Sequence, residues 1–135
     1  MIFELLKKED NNQIVKLIKD CFNIDSDINN LESLNNSSFV VLKDNNIVVA
    51  TSMITTIYDP FKNLKKAYID YFCVNPSYQG KGIGSIFFDK IEEYLRNEDY
   101  NIIELTSRKE RVNARSLYAS KGMSLIDTDV FRKEI

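Results

Sequence analysis

Two hydrophobic periods alternate along the chain. Residues 2–6, Ile-Phe-Glu-Leu-Leu, open as a short strand, and Ile14, Leu17, Ile18, Cys21 and Phe22 then recur at helical spacing. Asp10, with Gln13 three residues on, reads as a capping box for that helix. A second, shorter helix is expected over residues 28–34. The period then shortens. Residues 39–42 and the β-branched run 47–58 flank a Lys43-Asp44-Asn45-Asn46 turn, and residues 65–74 supply another strand after a break at 59–63. These three strands predict an antiparallel meander. Helical spacing returns over about 82–96, with Ile83, Phe87, Ile91, Tyr94 and Leu95 on one face. A strand over 102–106 follows, then a helix over about 111–121 with Gly122 as its C′ residue. A closing hairpin is expected from 123–126 and 130–133. The order is β-α-α-β-β-β-α-β-α-β-β. Its strand-helix-strand step demands a parallel pair, so the fold class is α/β (α+β), a mixed, mostly antiparallel sheet flanked by helices.

At 135 residues, without an internal repeat or a linker, the chain is expected to form one domain over 1–135. Apolar residues at 44% and charged residues at 28% exclude a disordered chain. No apolar run approaches the roughly 20 residues of a membrane helix, and the N-terminus lacks a basic-then-apolar signal pattern. A cytoplasmic protein with no membrane partner is expected. Histidine is absent, which excludes Ser-His-Asp triads, Cys-His pairs and histidine-containing zinc sites. Cys21 and Cys73 fit no metal or redox spacing and read as small buried hydrophobes, so no metal is expected. A net charge of −2 gives no attraction for polyanions, and nucleic acid is not an expected partner.

Three of the 4 glycines fall in Gln79-Gly80-Lys81-Gly82-Ile83-Gly84, between a strand and an amphipathic helix. Glycine there admits a ligand close to the backbone, and the helix N-terminus adds partial positive charge, so the segment suits a phosphate. The spacing is neither that of a P-loop nor that of the dinucleotide G-x-G-x-x-G motif.

The run from Val74 to Gly84, Val-Asn-Pro-Ser-Tyr-Gln-Gly-Lys-Gly-Ile-Gly, resembles the acetyl-CoA-binding motif of the GNAT superfamily of N-acetyltransferases. Ala114-Arg115-Ser116-Leu117-Tyr118-Ala119-Ser120-Lys121-Gly122-Met123 is similar to that family's Ala-x-x-x-Tyr-x-x-x-Gly-Phe segment. The element order also matches the family's fold.

The resemblance implies that backbone N–H groups of Gln79, Gly80, Lys81, Gly82, Ile83, Gly84 and Ser85 hold the pyrophosphate of acetyl-CoA. It implies a bulged strand ending at Val74 that splays from its neighbour, with pantetheine in the gap. A backbone N–H near Cys73 and Val74 would then stabilise the developing oxyanion. An acyl-Cys73 intermediate is the rival, with no histidine to activate it. Tyr118 matches the tyrosine that protonates the departing thiolate, the other reading being a core aromatic. For the base, Asp70 stands beside Glu104. Arg111 occupies the position of the family's frequent asparagine; apart from the resemblance, Asn113 near the helix start is expected to supply a substitute polar contact to the cofactor. The expected reaction moves an acetyl group to a primary amine by direct attack in a ternary complex, on a small molecule or on a protein N-terminus or lysine. A non-catalytic acyl-CoA-binding module is the alternative, and a homodimer through Val130 and Phe131 is open, as is Phe131 capping the monomer's own core.

Overall fold

The computed structural model describes residues 1–135. Its elements are β1 (Ile2–Leu5), α1 (Asn11–Phe22), β2 (Ser37–Asp44), β3 (Ile47–Asp59), β4 (Leu64–Val74), α2 (Ile83–Asn97), β5 (Ile102–Glu104) and α3 (Val112–Ser120). The strands form one sheet in the order β1-β2-β3-β4-β5. Neighbours are antiparallel as far as β4, and β4 and β5 are parallel. The mixed, mostly antiparallel sheet and its central meander follow the hydrophobic pattern. Asn45 and Asn46 close the β2–β3 hairpin with φ of 49° and 67°, the left-handed pair that a two-residue turn needs.

Strand alternation sorts side chains onto two faces. Val40, Leu42, Ile54, Ala67 and Ile69 pack with Ile83, Phe87, Ile91 and Leu95 of α2. Phe39, Val41 and Val48 pack with Ile14 and Leu17 of α1. The two helices therefore cover opposite faces.

Three expectations are corrected. Asp10 and Gln13 form no capping box: Asp10 makes no side-chain cap bond to α1. Its carboxylate accepts from the Lys7 N–H (2.9 Å) and lies 2.8 Å from the buried Lys43 ammonium, which is also 2.8 Å from Glu4. A buried ammonium needs charge-assisted partners, and leaving it unpaired would cost more than a cap bond contributes. Gln13 instead clamps the hairpin, donating to Asn46 O (3.1 Å) and accepting from Val48 N–H (2.9 Å).

The helix expected over 28–34 is only a 3-10 turn at Leu31–Ser33. The Asn11 side chain takes the Ile28 carbonyl and the Leu31 N–H, so this backbone is tied to α1 rather than to itself. The closing hairpin is absent as well, and residues 123–135 contain no strand. Leu125, Val130 and Phe131 are exposed, so Phe131 does not cap the core. β5 has three residues, and a two-stranded hairpin without a longer edge to join is marginal in water. No helix is long and apolar enough to cross a membrane.

One irregularity positions the site. In the β3–β4 ladder, Thr51 pairs with Cys73 but Met53 pairs with Asp70, so Ser52 faces two residues, Tyr71 and Phe72. Tyr71 has φ of 50°, and its N–H is held by the Asp70 carboxylate at 2.8 Å. The Ser52 hydroxyl donates to Asp70 O at 3.0 Å. The extra residue reverses the phase of the strand. Before it, Ala67 and Ile69 face α2; after it, Phe72 and Val74 do, and Cys73 turns to the α1 side.

Candidate active site

Pairing between β4 and β5 stops at Tyr68 and Glu104, with one further bridge between the Tyr68 and Thr106 hydroxyls at 2.9 Å. Beyond that point β4 stays paired with β3 but has no partner on its β5 side as far as Val74, which leaves a gap there. Asn75 N–H donates to Val49 O on β3 at 2.8 Å. Peptide groups alternate along a strand, so those of Cys73 also face β3, and the N–H and C=O of Val74 face the gap. The Val74 carbonyl accepts from the Gln79 amide at 3.3 Å and from the Cys21 thiol at 3.6 Å.

The loop after β4 begins with a 3-10 turn, Pro76–Tyr78, in which the Asn75 side chain accepts from Ser77 N–H. Gly80 and Gly82 follow with φ of 77° and 75°, and a Cβ at either would meet nothing within 4 Å. Glycine is required there by the backbone conformation, not by lack of room. The first internal bond of α2 runs from Ile86 N–H to Gly82 O at 3.2 Å. The N–H groups of Ile83, Gly84 and Ser85 therefore have no acceptor within the helix, and with the helix dipole they form an anion cradle. A Cβ on Gly84 would lie 3.6 Å from Leu117 and 3.7 Å from Val74, so Gly84 seats α2 against α3 and β4. Lys81 is exposed, its ammonium 5.3 Å from the centre of the Tyr78 ring.

Tyr118 is half-buried on α3. Its ring meets Phe72 edge-on at 6.1 Å between centroids and Phe88 at 6.2 Å. Burial pushes its phenol above the usual tyrosine value, opposed in part by the Arg111 guanidinium. Tyr118, Leu105 and Ser107 line a cavity of about 400 Å³. An open groove of about 860 Å³ continues from it along β5. The Ser107 hydroxyl is the one buried side-chain polar atom without a hydrogen-bond partner. Buried polar groups are nearly always satisfied, so this hydroxyl, in a residue that lines the cavity beside Tyr118, is a candidate partner for a bound polar group that sequence reasoning missed. Its only signal was its place at the end of the Leu105-Thr106-Ser107 run.

The two candidate bases share the α1 face, since Asp70 is in phase with Tyr68, the register partner of Glu104. Asp70 is exposed and its carboxylate caps the bulge. Glu104 is exposed and pairs with Lys66 at 3.3 Å. Asn113 is exposed in the first turn of α3. Arg111 lies 5.1 Å over the Phe22 ring and links the start of α3 to the end of α1. Gly84 thus sets α2 beside Val74 and Leu117, the residue before Tyr118, while Tyr118 shares its cavity with Ser107, and Asp70 and Glu104 lie on the α1 face of the sheet.

Residues 3–123 match the sequence model of the Acetyltransferase (GNAT) family. No protein of curated function matches the chain. Among solved structures, a ribosomal-protein-alanine N-acetyltransferase from Brucella melitensis biovar Abortus 2308 superposes with a TM-score of 0.84 at 14% identity, over 100% of both chains. A possible acetyltransferase from Clostridium difficile 630 gives 0.84 at 22% identity, over 99% of this chain and 97% of that one. An aminoglycoside acetyltransferase from an uncultured soil metagenomic sample, solved with trehalose, gives 0.84 at 18%, over 99% and 95%. At these identities the likeness establishes the fold and leaves the substrate open.

Proposed function

The chain belongs to the GNAT family of acetyltransferases, and on that premise we propose that it moves an acetyl group from acetyl-CoA to the primary amine of a small molecule, by direct attack in a ternary complex. Acyl transfer and the use of acetyl-CoA go with the family. The acceptor and the roles of individual residues are our reading, as is a single functional unit over 1–135. The observation that carries it is the Val74 peptide, turned by the bulge into the gap between the anion cradle and Tyr118.

The N–H groups of Ile83, Gly84 and Ser85 hold the pyrophosphate, with Gly80 and Gly82 supplying the left-handed turns that aim them. Gln79 fixes the Val74 carbonyl, so the Val74 N–H keeps its direction into the gap, where it supports negative charge developing on the thioester oxygen. Acetyl-CoA brings an acyl group already activated as a thioester. Tyr118 holds a proton that it delivers to the departing sulfur; a phenol is in its acid form at neutral pH, and burial extends that form further into the alkaline range. Ser107 gives the cofactor's polar arm a partner. Asp70 takes the proton of the attacking amine, with Glu104 as the alternative. The exposed Asp70 beside the half-buried, edge-to-face pair of Phe22 and Tyr71 (5.5 Å) suits a cationic amine, in keeping with the small-molecule acceptor class that the soil enzyme is named for.

Isothermal titration with acetyl-CoA tests this, with Gly82→Glu/Gly84→Glu as the control. Binding lost in the control, followed by thiol release with an amine panel, supports the enzyme. Binding without turnover on any amine or peptide leaves an acyl-CoA-binding module, and no binding to the folded protein overturns the cradle.

A further inference from the structure

The bulge that turns Val74 into the gap also turns Cys73 toward α1, where Cys21 lies. Cys73 belongs to the core cluster between α1 and the sheet, and Cys21 packs against that cluster. The Cys21 sulfur is 3.6 Å from the carbonyl of Val74, the residue next to Cys73, which places the two thiols side by side under the end of α1. Neither is used by the acetyl transfer described above. We propose that Cys21 and Cys73 are a peroxide-sensitive dithiol whose oxidation to an intramolecular disulfide weakens cofactor binding in the adjoining gap.

The two sulfurs differ in the way such a pair requires. Cys21 is half-buried on the last turn of α1, so an oxidant reaches it. The hydrogen bond from Cys73 holds the Cys21 thiol below the usual cysteine value against burial and the nearby Asp20, with the Arg111 guanidinium helping. Cys73 is buried, and its hydrogen bond to Cys21 together with burial pushes its thiol up, so it stays protonated and inert until its partner is oxidised. The Cys21 thiolate attacks the peroxide O–O bond, giving a sulfenic acid and hydroxide, which takes up the proton the thiol released and becomes one molecule of water. The Cys73 sulfur then attacks the sulfenic sulfur, its proton leaving with the hydroxyl as a second water. Two thiols lose two hydrogens and one peroxide becomes two waters, so the step balances.

The link to the gap is the Cys21 S–H, which donates to the Val74 carbonyl. A disulfide sulfur has no proton to give, and it ties the end of α1 to β4 beside the peptide that faces the cofactor. The effect on binding rests on the function proposed above; formation of the disulfide does not.

Treating the purified full chain with one equivalent of hydrogen peroxide, blocking free thiols and mapping peptides decides the first part. A Cys21–Cys73 peptide, reversed by dithiothreitol and absent from Cys21→Ser, is expected. Free Cys73 beside over-oxidised Cys21, or cross-linking between chains, would overturn the proposal. Titration of the oxidised chain with acetyl-CoA should show roughly threefold to tenfold weaker binding, the size expected when a displaced Val74 peptide loses one hydrogen bond to the cofactor, restored by reductant. Peroxide should leave the affinity of Cys21→Ser unchanged. Equal affinities for the oxidised and reduced wild type would refute the coupling. Failure of the reduced protein to bind acetyl-CoA would instead refute the function, leaving the disulfide map to be judged separately.

Discussion

Replacing Tyr118 by phenylalanine removes one oxygen and keeps the ring. The ring's contacts with Phe72 and Phe88 are made by carbon, so the packing of α3 on β4 and α2 survives. Tyr118 makes no protein hydrogen bond that its loss would orphan, and the change in folding stability should stay within about 1 kcal/mol. The proton donor is gone. General-acid catalysis is worth roughly 10²–10⁴ in rate, so kcat should fall by that factor, equivalent to about 2.7–5.5 kcal/mol of barrier. Affinity for acetyl-CoA should hold. The assay is release of free CoA thiol at saturating amine, from neutral to alkaline pH, alongside titration calorimetry and a thermal melt. The acid form is the active one, and burial raises the pKa, so wild-type activity should persist beyond the ordinary tyrosine value of about 10 before declining through this group. That alkaline limb should vanish in the variant. A kcat within twofold of wild type would refute the reasoning and leave Tyr118 a packing residue. A lost rate with an equally lost melt would point to packing as well.

Gly82→Ala should strain a left-handed residue by about 1–2 kcal/mol and weaken acetyl-CoA binding. Gly84→Ala meets only ordinary contacts at 3.6 Å and beyond, so denaturant titration should rank it as the milder change. Ser107→Ala removes a buried hydroxyl without a partner, and should be neutral or stabilising in the free protein while raising the dissociation constant for acetyl-CoA. Lys43→Met leaves the buried Asp10 carboxylate without its cation, and urea titration at neutral pH should record a loss of about 3–5 kcal/mol. The hydrogen bond from Lys43 holds Glu4 below the usual carboxylate value, so its stabilisation is complete above that value and fades as pH falls through the depressed one. The difference between wild type and Lys43→Met should narrow over that acid range; a constant difference would exclude the Glu4 contribution.

Much of the site is local, and local features are legible in a sequence. Gly80 and Gly82 stand where the backbone needs positive φ, and the strand before them and amphipathic helix after them show in their periods, so the cradle could be placed from residues alone. The absence of histidine removed whole chemistries without any structure. Tyr118 could be singled out from its motif, although nothing in the chain said which aromatics it would meet.

Tertiary structure decided what depends on partners distant in sequence. The bulge has no local sign: Tyr71 is an unfavourable left-handed residue, held there by the Asp70 side chain while Ser52 on β3 fastens the Asp70 carbonyl. A period of two run unbroken from Ala67 and Ile69 would put Cys73 on the α2 face. The extra residue puts it against Cys21, sends Phe72 to Tyr118 and turns Val74 into the gap. Asp10 likewise forsakes the cap its position suggested, because a buried ammonium arrives from β2. The two apolar runs of 123–135, on either side of Asp127-Thr128-Asp129, suggest a hairpin but remain unpaired, for a strand exists only where another edge accepts its hydrogen bonds. Residue type and spacing determined the sheet meander, the three helices and the anion loop; contacts between elements decided the 28–34 segment, the unpaired C-terminal residues and the phase of β4, and with it the geometry of the site.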